Sequence, residues 1–195
     1  MDSKRALDVM GGSLALALAT PILAAVAIAM RLSGDRGPFL HRARRVGEST
    51  AIITVLKVRT MAEGASGSNL TMSGDPRVTR LGRVLRRYRI DELPQLVNVV
   101  RGEMSLVGPR PEDPSFVDLS DPLHRRVFSA KPGITGLAQL GFHDEADHLV
   151  GPEAEKRYRD EILPAKLRLD AEYLDRRTTL LDIQILLRTV RTVLG

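Results

Sequence analysis

Three patterns in the sequence predict a mainly helical α+β chain with an N-terminal membrane segment. Val9 to Met30 is an apolar run without a charged residue. Two short strand candidates, 39–43 and 51–59, flank Gly47-Glu48-Ser49 and read as a small β-hairpin. From residue 75 onward apolar residues recur at helical spacing, most clearly over 78–88 and again from Pro152 to the end. The expected division is an anchor over residues 1–33 and one compact domain over 34–195, with no second catalytic domain.

A helix over Val9 to Met30 is roughly 33 Å long, enough for a hydrocarbon core of about 30 Å. Thr20-Pro21 lies near its middle, where proline removes an amide donor and crowds the preceding turn, so a bend or break is expected there. The Thr20 hydroxyl is placed to bond a carbonyl one turn back. Both flanks are basic: Lys4 and Arg5 precede the run, and Arg31, Arg36, Arg42, Arg44 and Arg45 follow it. Positive flanks favour the cytoplasmic side. A complete span, a re-entrant helix-break-helix and a cleaved signal peptide are all compatible with this pattern.

Beyond the anchor, Gly34 to Pro38 reads as a turn into the hairpin, and Gly64 to Gly74 as an exposed loop. Asp75-Pro76 predicts a helix start, with Val78, Leu81, Val84, Leu85 and Tyr88 on one face and Arg80, Arg83, Arg86, Arg87 and Arg89 on the other. A second helix is predicted to open at Asp91 and to turn Leu93, Leu96, Val97 and Val100 inward. Gly108-Pro109-Arg110-Pro111 forces an extended, rigid turn that leaves Arg110 little freedom. Lys131 to Gly136 forms another. Helix from Pro152 is expected to break near Pro164 and again near Thr178-Thr179. The last stretch, Leu180 to Leu194, is amphipathic, with Arg188 and Arg191 available to a lipid headgroup layer or to the core surface.

Composition narrows the function classes. Twenty-nine basic against twenty-four acidic residues give a net charge of +5, which suits anionic lipids, phosphorylated substrates or nucleic acid equally. The absence of cysteine excludes disulfides, thiolate metal sites and cysteine nucleophiles. With no tryptophan and 4% aromatic residues, stacking platforms for single-stranded nucleic acid are not supported, and no groove-reading motif accompanies the arginines. Nucleic acid is therefore not an expected partner. There is no Walker loop, dinucleotide fingerprint or nucleophile elbow. His143-Asp144-Glu145 with Asp147 and His148 has metal-ligand residue types but reads as a polar loop.

Asp91-Glu92 is the leading chemical candidate. As an isolated pair it is ordinary helix-start chemistry, stabilising by about 1 kcal/mol through capping. Its setting distinguishes it, because an arginine-rich helix leads into the pair and the Arg110 turn follows. Guanidinium groups keep a nearby carboxylate ionised and attract a polyphosphate to it.

The run DPRVTRLGRVLRRYRIDELPQLVNVVRGEMSLVGPRP, residues 75–111, resembles the signature of the monotopic phosphoglycosyl transferases, bacterial sugar transferases that initiate polyprenol-linked glycan assembly. Leu56 to Met61 resembles the family's K-F-R-T-M segment, KPGITGLAQ at 131–139 matches a further block, and Lys4, Arg5 and Asp8 before the apolar run resemble the family anchor. The resemblance implies transfer of a sugar 1-phosphate from a UDP-sugar to a polyprenol phosphate such as undecaprenyl phosphate, with release of UMP. Products would feed O-antigen, capsule, exopolysaccharide or glycoprotein assembly. It further implies that Asp91 is the nucleophile, forming a phosphosugar intermediate, that Glu92 completes the dyad, and that Mg2+ binds at Asp91 and the diphosphate. By the same similarity Arg59, Arg86 and Arg110 bind phosphate, and Thr20-Pro21 marks the break of a re-entrant anchor. The chain would then sit monotopically in the bacterial inner membrane with its catalytic domain and amphipathic interfacial helices on the cytoplasmic face. Membrane lipids would be partners, and a homodimer is compatible without any residue pattern that argues for it.

Three stretches depart from the family pattern. Thr20 stands where serine is usual, Val58 occupies an aromatic position, and Leu140-Gly141-Phe142-His143 replaces a V-N-G-R type continuation, which leaves the donor sugar open. The rival reading is a non-catalytic basic module docked on anionic lipid, which would be indifferent to Asp91 and sensitive to salt.

Overall fold

The computed structural model describes residues 3–65, 67, 70–72, 74–143, 149, 151 and 153–194. The first element is a single helix, α1 (Ser3–Leu32), with Pro21 inside it. The helix continues through the proline, so the expected break at Thr20-Pro21 is corrected, while the bend also expected there is compatible with one continuous helix. Thr20 does donate its hydroxyl to the Leu16 carbonyl at 2.8 Å, as its position allowed. Tertiary contacts on both sides of Pro21 hold the helix together where local propensity alone would favour an interruption. Asp8, Gly12, Ala19, Val26 and Met30 are buried, while Met10, Leu14, Leu18, Ile22, Ile28 and Leu32 point outward. Length and hydropathy would allow α1 to cross a membrane.

The N-terminal end of α1 is tied down by polar contacts. Lys4 Nζ pairs with Asp182 at 2.7 Å and donates to the Tyr173 hydroxyl and the Val107 carbonyl. Arg5 donates to the carbonyls of Val99 and Val100, both at 2.8 Å, which satisfies acceptors at the end of α3 (Gln95–Arg101). The buried Asp8 carboxylate accepts from the Ser105 hydroxyl and the Leu106 amide. Gly12 allows the close approach of α1 to α3, since a Cβ there would lie 3.1 Å from a Val99 methyl. The other end packs through Val26 and Met30 against Val58 and Leu85, with Phe39 and Ile90 beside them.

The hairpin forms as expected, with β1 (Leu40–Val46) antiparallel to β2 (Ile52–Val58) and Val46 opposite Ile52. A second, parallel pair joins β3 (Ser105–Val107) to β4 (Gly133–Thr135). It frames the rigid turn, because the Gly108 amide donates to Thr135 and the Gly133 amide to Pro109. Neither β3 nor β4 is long enough to show in sequence periodicity.

Helix α2 (Arg80–Arg87) starts later than predicted. Thr79 is its N-cap, its hydroxyl accepting the Gly82 amide at 2.9 Å, whereas the Asp75 carboxylate binds the Arg77 amide and guanidinium. Val78 is held instead in a bridge with Met61. The expected apolar face is also only partly buried: Leu85 is inside, but Val84 and Tyr88 are exposed. Asp91 lies within a 3-10 turn, Ile90–Glu92, and α3 begins only at Gln95, so the predicted N-cap role of Asp91 is corrected as well. Pro94 favours that tight turn over an immediate α-helix.

The remaining helices are α4 (Pro122–Phe128), α5 (Leu137–Gly141), α6 (Ala154–Arg157), α7 (Leu163–Arg176) and α8 (Thr179–Leu194). No break occurs at Pro164. A π-helical stretch, Tyr158–Ile162, precedes it and absorbs the missing amide donor, so the proline falls in the first turn of α7. The predicted break near Thr178-Thr179 is present between α7 and α8. The predicted polar loop from His143 to His148 lies outside the described residues except for His143, as do parts of the 64–74 loop.

Candidate active site

The site gathers three pieces of chain: the end of β2, the α2–α3 connection and the turn after β3. Gly82 makes the first junction possible. A Cβ there would come within 2.1 Å of the Thr60 carbonyl oxygen, so only glycine lets α2 press on the end of the hairpin. That contact brings Arg86 Nε to 2.8 Å from the Thr60 hydroxyl. Arg89 then turns the chain in the left-handed region, with φ 51°, directly before the Ile90–Glu92 turn.

Asn98 locks α3 to the hairpin. Fully buried, it accepts from the Leu56 amide at 3.1 Å and donates to the Thr54 carbonyl at 2.8 Å. With β2 fixed in this way, Lys57 Nζ reaches Glu92 Oε1 at 3.1 Å. Arg89 approaches the other oxygen of Glu92 at 3.6 Å. Glu92 is thus held by a cation on each oxygen. Burial opposes its ionisation, but Lys57, Arg110 and Arg89 together outweigh that and hold its carboxyl well below the usual range.

Asp91 is different. It is 8% exposed, and its carboxylate makes no ion pair among the described residues. Burial, followed by the neighbouring Glu92 charge, pushes its carboxyl up, against the pull of Lys57 and Arg86. Two adjacent carboxylates therefore have separate situations: one neutralised in place, the other available for an incoming electrophile or cation.

Arg86 and Arg110 fall where the sequence suggested, both within the electrostatic reach of the pair. Arg59 is already occupied: its guanidinium pairs with Asp35 and donates to the carbonyls of Pro38 and Met61. A phosphate contact by Arg59 would require exchange of the Asp35 partner. Lys57, Thr60 and Arg89 are site residues to which sequence reasoning assigns no role. Lys57 stands within a family motif, but its partner lies 35 residues away and no spacing rule connects them.

Behind the Arg110 turn is a second buried polar group. Asp170 Oδ2 accepts the Arg110 amide at 3.2 Å, while Oδ1 is buried with no hydrogen-bond partner among the described residues. Burial is the main influence on Asp170 and raises its carboxyl to about 7, against weaker pulls from the Arg110 amide, Lys166 and Arg110. Because the folded value lies above the unfolded one, this contribution to stability is full below about pH 4 and is lost as pH rises to about 7. Asp170→Asn keeps an acceptor for the Arg110 amide and removes the titration. It is expected to raise stability at pH 8 by roughly 2–4 kcal/mol and to flatten melting temperature against pH between 5 and 8. An unchanged pH profile would contradict the assignment.

Among the described residues there is no group of three or more histidine, aspartate or glutamate side chains that could hold a metal by themselves. The site is instead one carboxylate without an ion pair among the described residues, set among guanidinium and ammonium groups, an arrangement suited to a phosphorylated substrate. Sequence comparison agrees with that chemistry. The family described as Bacterial sugar transferase matches residues 2–195. A UDP-glucose:undecaprenyl-phosphate glucose-1-phosphate transferase of Caulobacter vibrioides is 39% identical over 196 residues, covering 98% of this chain and 69% of that protein. A UDP-N-acetylgalactosamine-undecaprenyl-phosphate N-acetylgalactosaminephosphotransferase of Aeromonas hydrophila is 35% identical over 198 residues, and there the chain spans only 43% of the relative's length. The exopolysaccharide production protein PSS of Rhizobium leguminosarum bv. phaseoli is 35% identical over 197 residues and is covered to 92% of its length. With the match running nearly end to end and taking in every residue of the arginine-ringed pair, the chain belongs to the bacterial sugar transferase family.

Proposed function

We propose that this protein transfers a sugar 1-phosphate from a UDP-sugar to undecaprenyl phosphate, as the first step of an exopolysaccharide or related surface glycan. The observation that carries this reading is the division of labour in the pair: Glu92 is neutralised by Lys57 and Arg89, and Asp91, near Arg86, makes no ion pair among the described residues. An Asp91 carboxylate oxygen attacks the β-phosphorus of the donor. The bond from that phosphorus to the oxygen bridging the two phosphates breaks, and UMP leaves with the bridging oxygen. An oxygen of the lipid phosphate then attacks the same phosphorus, the aspartyl–phosphorus bond breaks, and the carboxylate is regenerated with the lipid diphosphate-sugar as product. Neither step requires a general base, since both attacking groups are anions.

Arg86 and Arg110 bind phosphate oxygens and orient the donor. Mg2+ fits a site with one free carboxylate, because this ion rests on one or two carboxylates, substrate phosphates and retained waters. Asp91 and the donor diphosphate would hold it, and it would supply charge neutralisation. Incubation with Mg2+, undecaprenyl phosphate and a panel of UDP-sugars, reading UMP and lipid product, tests the activity and identifies the donor. Absence of UMP from every donor would count against the reading.

The anchor belongs to the same proposal. Both ends of α1 attach to one domain, through Lys4, Arg5 and Asp8 at the start and through Val26 and Met30 at the end. This supports a segment that bends at Thr20-Pro21, enters the membrane and returns on one side, because a complete span would carry one set of contacts to the far face. The exposed apolar residues of α1 face lipid, and Leu180, Leu187 and Val190 of α8, also exposed, meet the interface. Single cysteines at Ser3 and Ser33 are expected to be labelled from the cytoplasmic side alike. Labelling from opposite sides would refute the one-sided topology.

A further inference from the structure

The last turns of α1 and the chain that follows form an apolar groove of about 430 Å³, within the size range of small-ligand sites. Ala27, Ile28, Met30, Leu32 and Phe39 supply its apolar wall and Arg31 its charge. Asp35 also lines it, but that carboxylate is already paired with Arg59, so the charge offered to a ligand is the Arg31 guanidinium. The groove lies on the helix whose outward face is apolar. It is also close to the chemistry. Met30 and Phe39 belong to the same apolar layer as Val58, Leu85 and Ile90, and Ile90 immediately precedes Asp91. Arg59 borders the groove at Gly37, and its neighbour Thr60 holds Arg86. The groove thus lies against the packed layer that carries the Asp91 turn.

We propose that this groove seats the isoprenoid units nearest the phosphate of the acceptor lipid, with the phosphate drawn past Arg31 toward Arg86 and Asp91. The proposal rests on the transferase reading above and names the place where its second substrate binds. The groove offers apolar walls to a chain and one cation to an anionic head, which are the two chemistries a polyprenyl phosphate presents.

The test separates the two half-reactions in the full-length protein in detergent or vesicles. Ala27→Trp fills the groove with a side chain compatible with the membrane interface. It is expected to raise the KM for undecaprenyl phosphate at least about 10-fold, as for the loss of a few buried methylenes. Formation of the phosphosugar adduct from donor alone, read by intact mass and by the UMP burst, is expected to proceed as in the unmodified protein. Acceptors of increasing isoprenoid number provide the second measurement. The unmodified protein is expected to gain affinity with the first units and then level off, and Ala27→Trp to lose that dependence. An acceptor KM equal to that of the unmodified protein, or an unaltered chain-length dependence, would overturn the proposal. So would inhibition by phosphatidylglycerol at the same mole fraction as the acceptor, since it would mean that the groove takes ordinary anionic lipid. Failure of the underlying reading looks different: no adduct and no UMP from the unmodified protein itself.

Discussion

Asp91→Asn is expected to abolish UMP release and the phosphosugar adduct while leaving the protein membrane-bound and folded. Asparagine matches aspartate in shape but carries no anionic oxygen with which to attack phosphorus. The neighbouring carboxylate cannot stand in, because both Glu92 oxygens are engaged, by Lys57 at 3.1 Å and Arg89 at 3.6 Å. Loss of a nucleophile that acts through a covalent intermediate costs at least about 10³-fold in rate. Stability should not fall, since burial already disfavours the ionised form of Asp91 and the side chain makes no ion pair among the described residues that the substitution would remove. Turnover at the normal rate would exclude Asp91 as nucleophile. A non-catalytic basic lipid-docking module would release no UMP even with Asp91 in place, and its membrane binding would be unaltered by the substitution.

The second large effect is structural. Lys166 is 2% exposed and lies 3.7 Å from Glu112 Oε2 and 3.0 Å from the Tyr158 hydroxyl. The Tyr158 hydroxyl in turn donates to Glu112 at 2.6 Å. Burial opposes ionisation of Glu112, and Lys166 is the foremost of the groups that overcome it and hold its carboxyl low. Lys166→Met is expected to leave that carboxylate charged in the interior without its foremost compensating group, at a cost of about 3–5 kcal/mol. In a chain of this size the melting temperature should fall by roughly 10 °C. The deficit is largest at neutral pH and shrinks on acidification, as Glu112 takes up a proton. Adding Glu112→Gln should recover most of the loss, because the amide oxygen still accepts from Tyr158. A double variant no more stable than Lys166→Met would show that the pair is not the source. Since Glu112 follows the Arg110 turn by two residues, a drop in donor affinity should accompany the loss and return with the rescue.

Local constraints make much of this protein legible in its sequence. The hairpin can be placed because Gly47-Glu48-Ser49 separates two short strands, and the Arg110 turn because two prolines leave it little conformational choice. Asp91-Glu92 stands out through its arginine-rich surroundings. Expectations that rest on a single local rule give way in the fold. Asp75-Pro76 has the form of a helix start, but Asp75 finds Arg77 and α2 takes Thr79 as its cap. Pro164 predicts a break, and a π-helical stretch accommodates it. Pro21 predicts another, and contacts at both ends of α1 carry the helix through it. In each case a nearby partner or distant packing outweighs a preference of a few kcal/mol at most.

The sequence by itself determined the apolar segment, the hairpin, the arginine-flanked carboxylate pair and the family, because composition, short-range periodicity and proline geometry act along the chain. Only the tertiary structure decided that Glu92 is held between two cations while Asp91 makes no ion pair among the described residues, that Arg59 is already partnered, and that both ends of the apolar helix fasten to one domain. Those outcomes depend on residues far apart in the chain: Lys57 with Glu92, Lys4 with Asp182, Asp170 with Arg110. Ion pairing and burial act through distance in space, and distance in space is fixed only when the chain has folded.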